Sequence, residues 1–166
     1  MLEVAFLMSF PALVTFGGAY DLLTMTIPNR VSIALVVLFF VAALVIGIPS
    51  AAMINHVTAG VAMFAAGIAL FAIGGFGGGD AKLLAAASLW IGFDQLLPFL
   101  LLVTVYGGIL AVTILAFRRL PVLGTHAPDW ALKLHSQGTG IPYGIAIAAA
   151  GLTIFPHTTL FSLGLT

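Results

Sequence analysis

Long apolar stretches separated by short polar punctuation make up most of this chain. Apolar residues run from Val4 to Tyr20, from Val31 to Ile48 and from about His56 to Ile73, each close to the roughly 20 residues that cross a bilayer as a helix. Pro49 closes the second run, and a cluster of glycines interrupts the third. From Ala81 to Phe117 the apolar run is too long for one span. Asp94, Gln95 and Pro98 sit where a turn would divide it, which predicts a short fourth helix and a fifth from about Leu96 to Phe117. A polar stretch from Arg118 to Gly140 follows, and Ile141 to about Leu163 predicts a sixth helix that contains Pro142 and Pro156. The expected architecture is all-α: a polytopic membrane protein of about six transmembrane helices joined by short loops. Residues 1–166 are read as one integral-membrane domain.

Composition removes the soluble alternatives. Hydrophobic residues make up 62% of the 166 and charged residues only 6%, against about 25% charged in soluble globular domains. Disorder requires the opposite balance, and a net charge of zero leaves no basic footprint for nucleic acid. Cysteine is absent, so there is no disulfide, thiolate nucleophile or cysteine-ligated metal. The first apolar run carries Glu3 where a signal peptide would carry positive charge, so it reads as a retained helix. Orientation follows from the basic residues, which accumulate in short cytoplasmic loops. With the N-terminus outside, Arg30, Lys82, Arg118, Arg119 and Lys133 all fall on the cytoplasmic side.

In a chain this poor in charge each carboxylate is informative, because an acid near hydrocarbon costs a few kcal/mol. The expected topology puts Glu3 and Asp94 outside and Asp129 within the polar cytoplasmic loop. Asp21 and Asp80 both fall where a helix meets the cytoplasmic interface. Asp21 closes the first apolar run ahead of a turn at Pro28 and Asn29; Asp80 follows Gly74-Gly75-Phe76-Gly77-Gly78-Gly79 and opens a new apolar helix. Two carboxylates close together cannot both ionise cheaply, so one holds a proton while the other acts as a base toward water. The plainer readings are that Asp21 merely ends a span and that Asp80 is a helix N-cap.

These residues resemble the prepilin peptidases, membrane-embedded GxGD aspartic peptidases. Gly77-Gly78-Gly79-Asp80-Ala81-Lys82-Leu83 fits the family's GxGDxKL pattern, Asp21 precedes Ile27-Pro28-Asn29 as in its first motif, and Ile141-Pro142-Tyr143-Gly144 is similar to its Pro-aromatic-Gly element. The resemblance implies a single peptidase domain in which Asp21 and Asp80 are the catalytic pair. Gly77, Gly79, Lys82, Pro28, Asn29, Pro142 and Gly144 would support them, with no metal and no cofactor. It implies a substrate too: a pilin-like precursor with a hydrophobic N-terminal helix, cut at the cytoplasmic face of the inner membrane by a multi-pass enzyme with no nucleic-acid partner. Long relatives add a cytoplasmic loop with paired CxxC motifs and N-methylate the product. Without cysteine, and with so short a link from Asp21 to Arg30, this chain is similar to the short, peptidase-only form found with tight-adherence (Flp-type) pili.

Other readings compete. A phosphate-binding loop needs Lys and Ser or Thr after its glycines, and here Asp80 follows Gly79. His56, His126, His135 and His157 lack zinc-site spacing and read as solvated or interfacial histidines. Lys82, two residues beyond Asp80, would lower the acid's pKa if its ammonium came close. Arg118 and Arg119 read as anchors to anionic headgroups, and Trp130 as a side chain dipping into the interface. Ala59, Gly60, Ala62, Ala65, Ala66 and Gly67 predict a close helix contact. A small transporter or a non-catalytic membrane scaffold remains the alternative function; the first would need polar residues at mid-span, and the second would tolerate loss of both acids.

Overall fold

The computed structural model describes residues 1–121 and 128–165, all of them helix, turn or coil with no strand among the described residues. Four helices are long and apolar enough to cross a membrane: α1 (Leu2–Thr24), α2 (Asn29–Ile46), α3 (Ser50–Ala72) and α5 (Leu96–Arg118). Three shorter ones complete the main body: α4 (Gly78–Ile91), α6 (Asp129–His135) and α7 (Gly144–Ile154). A 3-10 turn at Phe155–His157 leads to the final α8 (Thr159–Leu163).

Of the about six expected spans, four reach membrane length, and the expected short fourth and the sixth form shorter helices. The fourth helix stops after 14 residues because Gly92 adopts a positive φ of 81°, which gives about 21 Å at 1.5 Å per residue. The expected sixth helix begins three residues later than the sequence implied and breaks at Pro156, where the missing N–H and the ring favour a tighter turn. The first three helices start earlier than their apolar runs, α3 by a full turn and a half, because Pro49 supplies an extended residue ahead of Ser50. The polar segment also contains α6, which was not expected.

The core is built around α4. Ala81 and every residue from Leu83 to Ile91 are buried, as a helix apolar all round must be. Helix α3 packs against it through glycine: a Cβ on Gly60 would lie 3.1 Å from Leu89, and one on Gly67 would lie 3.0 Å from Ala81. The expected small-residue face is therefore half right. Ala59, Gly60 and Gly67 are buried, whereas Ala62, Ala65 and Ala66 are exposed. Trp90, fully buried, donates its indole N–H to the Leu35 carbonyl of α2 at 2.8 Å and stacks on Phe10 of α1 with ring centroids 5.4 Å apart.

Helix α1 turns one stripe inward, Leu7, Phe10, Val14, Gly17, Gly18 and Asp21, at the three- and four-residue spacing that lines up one helix face. At Gly18 a Cβ would lie 3.0 Å from both Ala148 Cβ and the Gly144 carbonyl, so the missing side chain is what lets α7 lie against α1. That approach brings the start of α7 beside Asp21.

Candidate active site

Asp21 was expected at the end of the first helix; it lies one turn inside it, on the buried stripe, and is itself only 5% exposed. Its Oδ2 accepts the backbone N–H of Gly144 at 2.9 Å. Gly144 leads α7, where the first N–H groups have no partner in their own helix and are free to bind an anion. The position tolerates no side chain, because a Cβ there would sit 2.9 Å from Asp21 Oδ2 and 3.0 Å from Asp21 Cβ. Pro142, buried just ahead, forms the entry to this turn.

Asp80 is the third residue of α4, and Gly77 is the N-cap, with no side-chain cap bond. The plainer reading of Asp80 as an N-cap is thereby corrected. Its Oδ1 is buried without a hydrogen-bond partner. A Cβ on Gly77 would meet Asp80 Oδ2 at 2.6 Å, and one on Gly79 would meet Ile27 Cβ at 3.2 Å. The first glycine makes room for the acid and the second for the loop that ends α1. Burial and the neighbouring Asp21 carboxyl push Asp80 up to about 7.

Asp21 and Asp80 line one cavity of about 330 Å³, together with Met25, Thr26, Ile27, Asn29 and the three glycines before Asp80. The loop at its edge is tightly wound. Met25 adopts φ 60°, the left-handed region that a non-glycine residue seldom occupies, and its N–H returns to the Asp21 carbonyl at 2.7 Å. Pro28 then restores extended backbone ahead of α2.

Residues 8–112 match a model of the Type IV leader peptidase family. The chain belongs to that family. The matched stretch contains Asp21, Pro28, Asn29, Gly77, Gly79, Asp80 and Lys82 and stops short of Pro142 and Gly144. No curated protein and no solved structure matches the chain. A leader peptidase with four membrane-length helices is a membrane protein, and its family's substrates are prepilins.

Several expectations about individual residues change. Lys82 does not bond to Asp80; its Nζ donates to Asn29 Oδ1 at 3.0 Å and ties the start of α4 to the start of α2. Arg118 turns inward rather than to headgroups. Its Nε donates to the Leu134 carbonyl at 2.7 Å, and its Nη2 reaches the carbonyls of Thr139 and Gly140, both at 3.0 Å, and Thr139 Oγ1 at 2.9 Å. It thus holds the segment that delivers Pro142 and Gly144. Neither link is legible in sequence, since the partners lie far apart or are backbone atoms.

His56 is not solvated. It is 1% exposed, with Nδ1 2.9 Å from the Leu89 carbonyl. His126 lies outside the described residues, while His157 and Trp130 are exposed. Among the described residues no group of three His, Cys, Asp or Glu side chains is placed to hold a metal ion.

Proposed function

We propose that this chain is an aspartic endopeptidase that removes the cytoplasmic leader from pilin-like precursors, with Asp21 and Asp80 as its catalytic pair. The observation that carries the reading is that two acids 59 positions apart in sequence line one cavity. One of them takes a backbone N–H and the other has a buried, unpartnered oxygen. Asp80, raised toward neutrality, holds the shared proton, and Asp21 is the base. Asp21 takes a proton from water as the oxygen attacks the scissile carbonyl carbon, and Asp80 gives its proton to the carbonyl oxygen. The tetrahedral gem-diol collapses: one hydroxyl proton returns to Asp80 as the carbonyl re-forms, the C–N bond breaks, and the leaving amine takes the proton held by Asp21.

The cavity faces the cytoplasm in this reading, with the N-terminus of the chain outside. Arg30, Lys82, Arg118 and Lys133 then lie on the same side as both acids, as the distribution of basic residues in membrane proteins requires. Cleavage therefore falls at the cytoplasmic boundary of the inner membrane, where the precursor's apolar helix begins. Methyl transfer is left out, because there is no cysteine to form the paired motifs of longer relatives. A transporter reading gains nothing from the fold, since both acids sit at one end of the bundle. Co-expression with an epitope-tagged pilin-like precursor tests the proposal. A shorter product with a new, unmethylated N-terminus is expected, and an intact precursor refutes it.

A further inference from the structure

Helices α2 and α3 are joined by only three residues, yet they pack on α4 rather than on each other. The cause is local. Trp90 and Lys82 tie α2 to one side of α4, and Gly60 and Gly67 draw α3 onto the other. Between them a cleft of about 600 Å³ stays open, floored by Ala85, Ala86 and Leu89 of α4 and walled by Val36 of α2 and Val61 of α3. That space takes the side chains along one face of an apolar helix.

Two independent features point to a peptide rather than to lipid in this cleft. Asn29 lines both the cleft and the cavity that holds Asp21 and Asp80, so a chain lying in the cleft leads past Asn29 to the acids. Ser32 also lines the cleft; it is 8% exposed, and its Oγ has no hydrogen-bond partner. An acyl chain cannot accept from a buried hydroxyl, whereas a helix carbonyl has a spare lone pair for it.

We propose that the cleft between α2 and α3 seats the apolar helix of the precursor and so positions the scissile bond at the two aspartates. This rests on the peptidase reading above. The seated helix packs small and branched side chains against Ala85, Ala86 and Leu89 and takes the Ser32 hydroxyl on a backbone carbonyl. Its N-terminal end unwinds at Asn29, where the Lys82 bond marks the passage from cleft to cavity.

The test uses the full chain in membranes with a tagged pilin-like precursor. A photo-crosslinking residue replaces Val36 or Val61 in an Asp80→Asn background, with Val112 on the exposed face of α5 as control. Cross-links to the precursor from the two cleft positions and none from the control are expected. In the otherwise unchanged enzyme, Val36→Trp and Val61→Trp fill the cleft. Each should lower kcat/KM about tenfold, mainly through KM, while Val112→Trp stays within about twofold.

Cross-links to lipid only, to a second copy of this chain, or equally from all three positions would overturn the proposal, as would wild-type KM in both cleft variants. The two readings fail differently. Normal Asp80-dependent cleavage without cleft cross-links removes the docking site alone; cleavage that survives Asp80→Asn removes the peptidase assignment, whatever the cross-links show.

Discussion

Gly77→Ala moves the Asp80 carboxylate while leaving the fold in place. The added Cβ would lie 2.6 Å from Asp80 Oδ2, and ordinary contact begins at 3.4 Å, so the carboxylate must retreat by about 0.8 Å. A misplacement near 1 Å in a catalytic arrangement costs about a hundredfold in rate. Stability should hardly change, for reasons that oppose one another. Gly77 sits at φ −70° and ψ 139°, which alanine adopts freely, and the substitution restrains the unfolded chain by about 0.4–1 kcal/mol. Alanine is a poorer N-cap than glycine by a similar amount, and the atom that must yield is the free end of a side chain. Cleavage of a tagged precursor by purified variant, beside a thermal melt of the same sample, separates the two effects. A fall of about a hundredfold with a melting transition close to wild type is expected. Near-wild-type cleavage would show that the position of Asp80 does not matter, and an unfolded variant would show that the clash is not relieved by the side chain.

Other consequences are equally concrete. Asp80 is raised from 3.8 to about 7, so it keeps its proton in the folded state where the unfolded chain has lost it. The stability it lends is full below 3.8 and declines as pH rises through about 7. Asp80→Asn should therefore melt above wild type at pH 8, and wild-type cleavage should fall on the alkaline side as Asp80 ionises; pH-resolved melts and rates check both. Arg118→Leu releases the segment that carries Gly144 and should lower kcat about tenfold or more through the lost hold on Asp21, with partial recovery in Arg118→Lys; an unchanged kcat would make Arg118 a bystander. Chelator treatment and omission of a methyl donor should leave cleavage intact, and zinc-reversible inhibition would contradict the carboxylate mechanism.

What could be read from sequence divides along physical lines. The long apolar helices were legible because a helix satisfies its own backbone groups and leaves only side chains facing lipid or the core, which forces a continuous hydrophobic run. Helix lengths were less so, since Gly92 and Pro156 act through φ and a missing N–H that a hydropathy pattern does not weigh. Asp21 and Asp80 stood out because charge is scarce. That Asp21 faces inward was available too, in the spacing of Leu7, Phe10, Val14, Gly17 and Asp21, yet the apolar run alone made it look like a terminus. The cleft between α2 and α3 could not be foreseen, because it depends on both helices preferring α4. The inward turn of Arg118 was hidden for another reason: its partners are mostly carbonyl oxygens, which leave no mark in a sequence.

The most direct test of the central claim is cleavage by Asp21→Asn and Asp80→Asn beside Asp94→Asn and Asp129→Asn, all at matched protein levels. Asparagine keeps the size and much of the hydrogen bonding of aspartate but neither accepts a proton as a base nor shares an acidic one. The two cavity variants should each lose cleavage, and the double variant should be no worse than either, because a dyad acts as a unit. Asp94, exposed in the turn between α4 and α5, and Asp129, exposed at the start of α6, should be dispensable. Cleavage near the wild-type rate by Asp80→Asn or Asp21→Asn, or its loss in Asp94→Asn, would contradict the assignment of the catalytic pair.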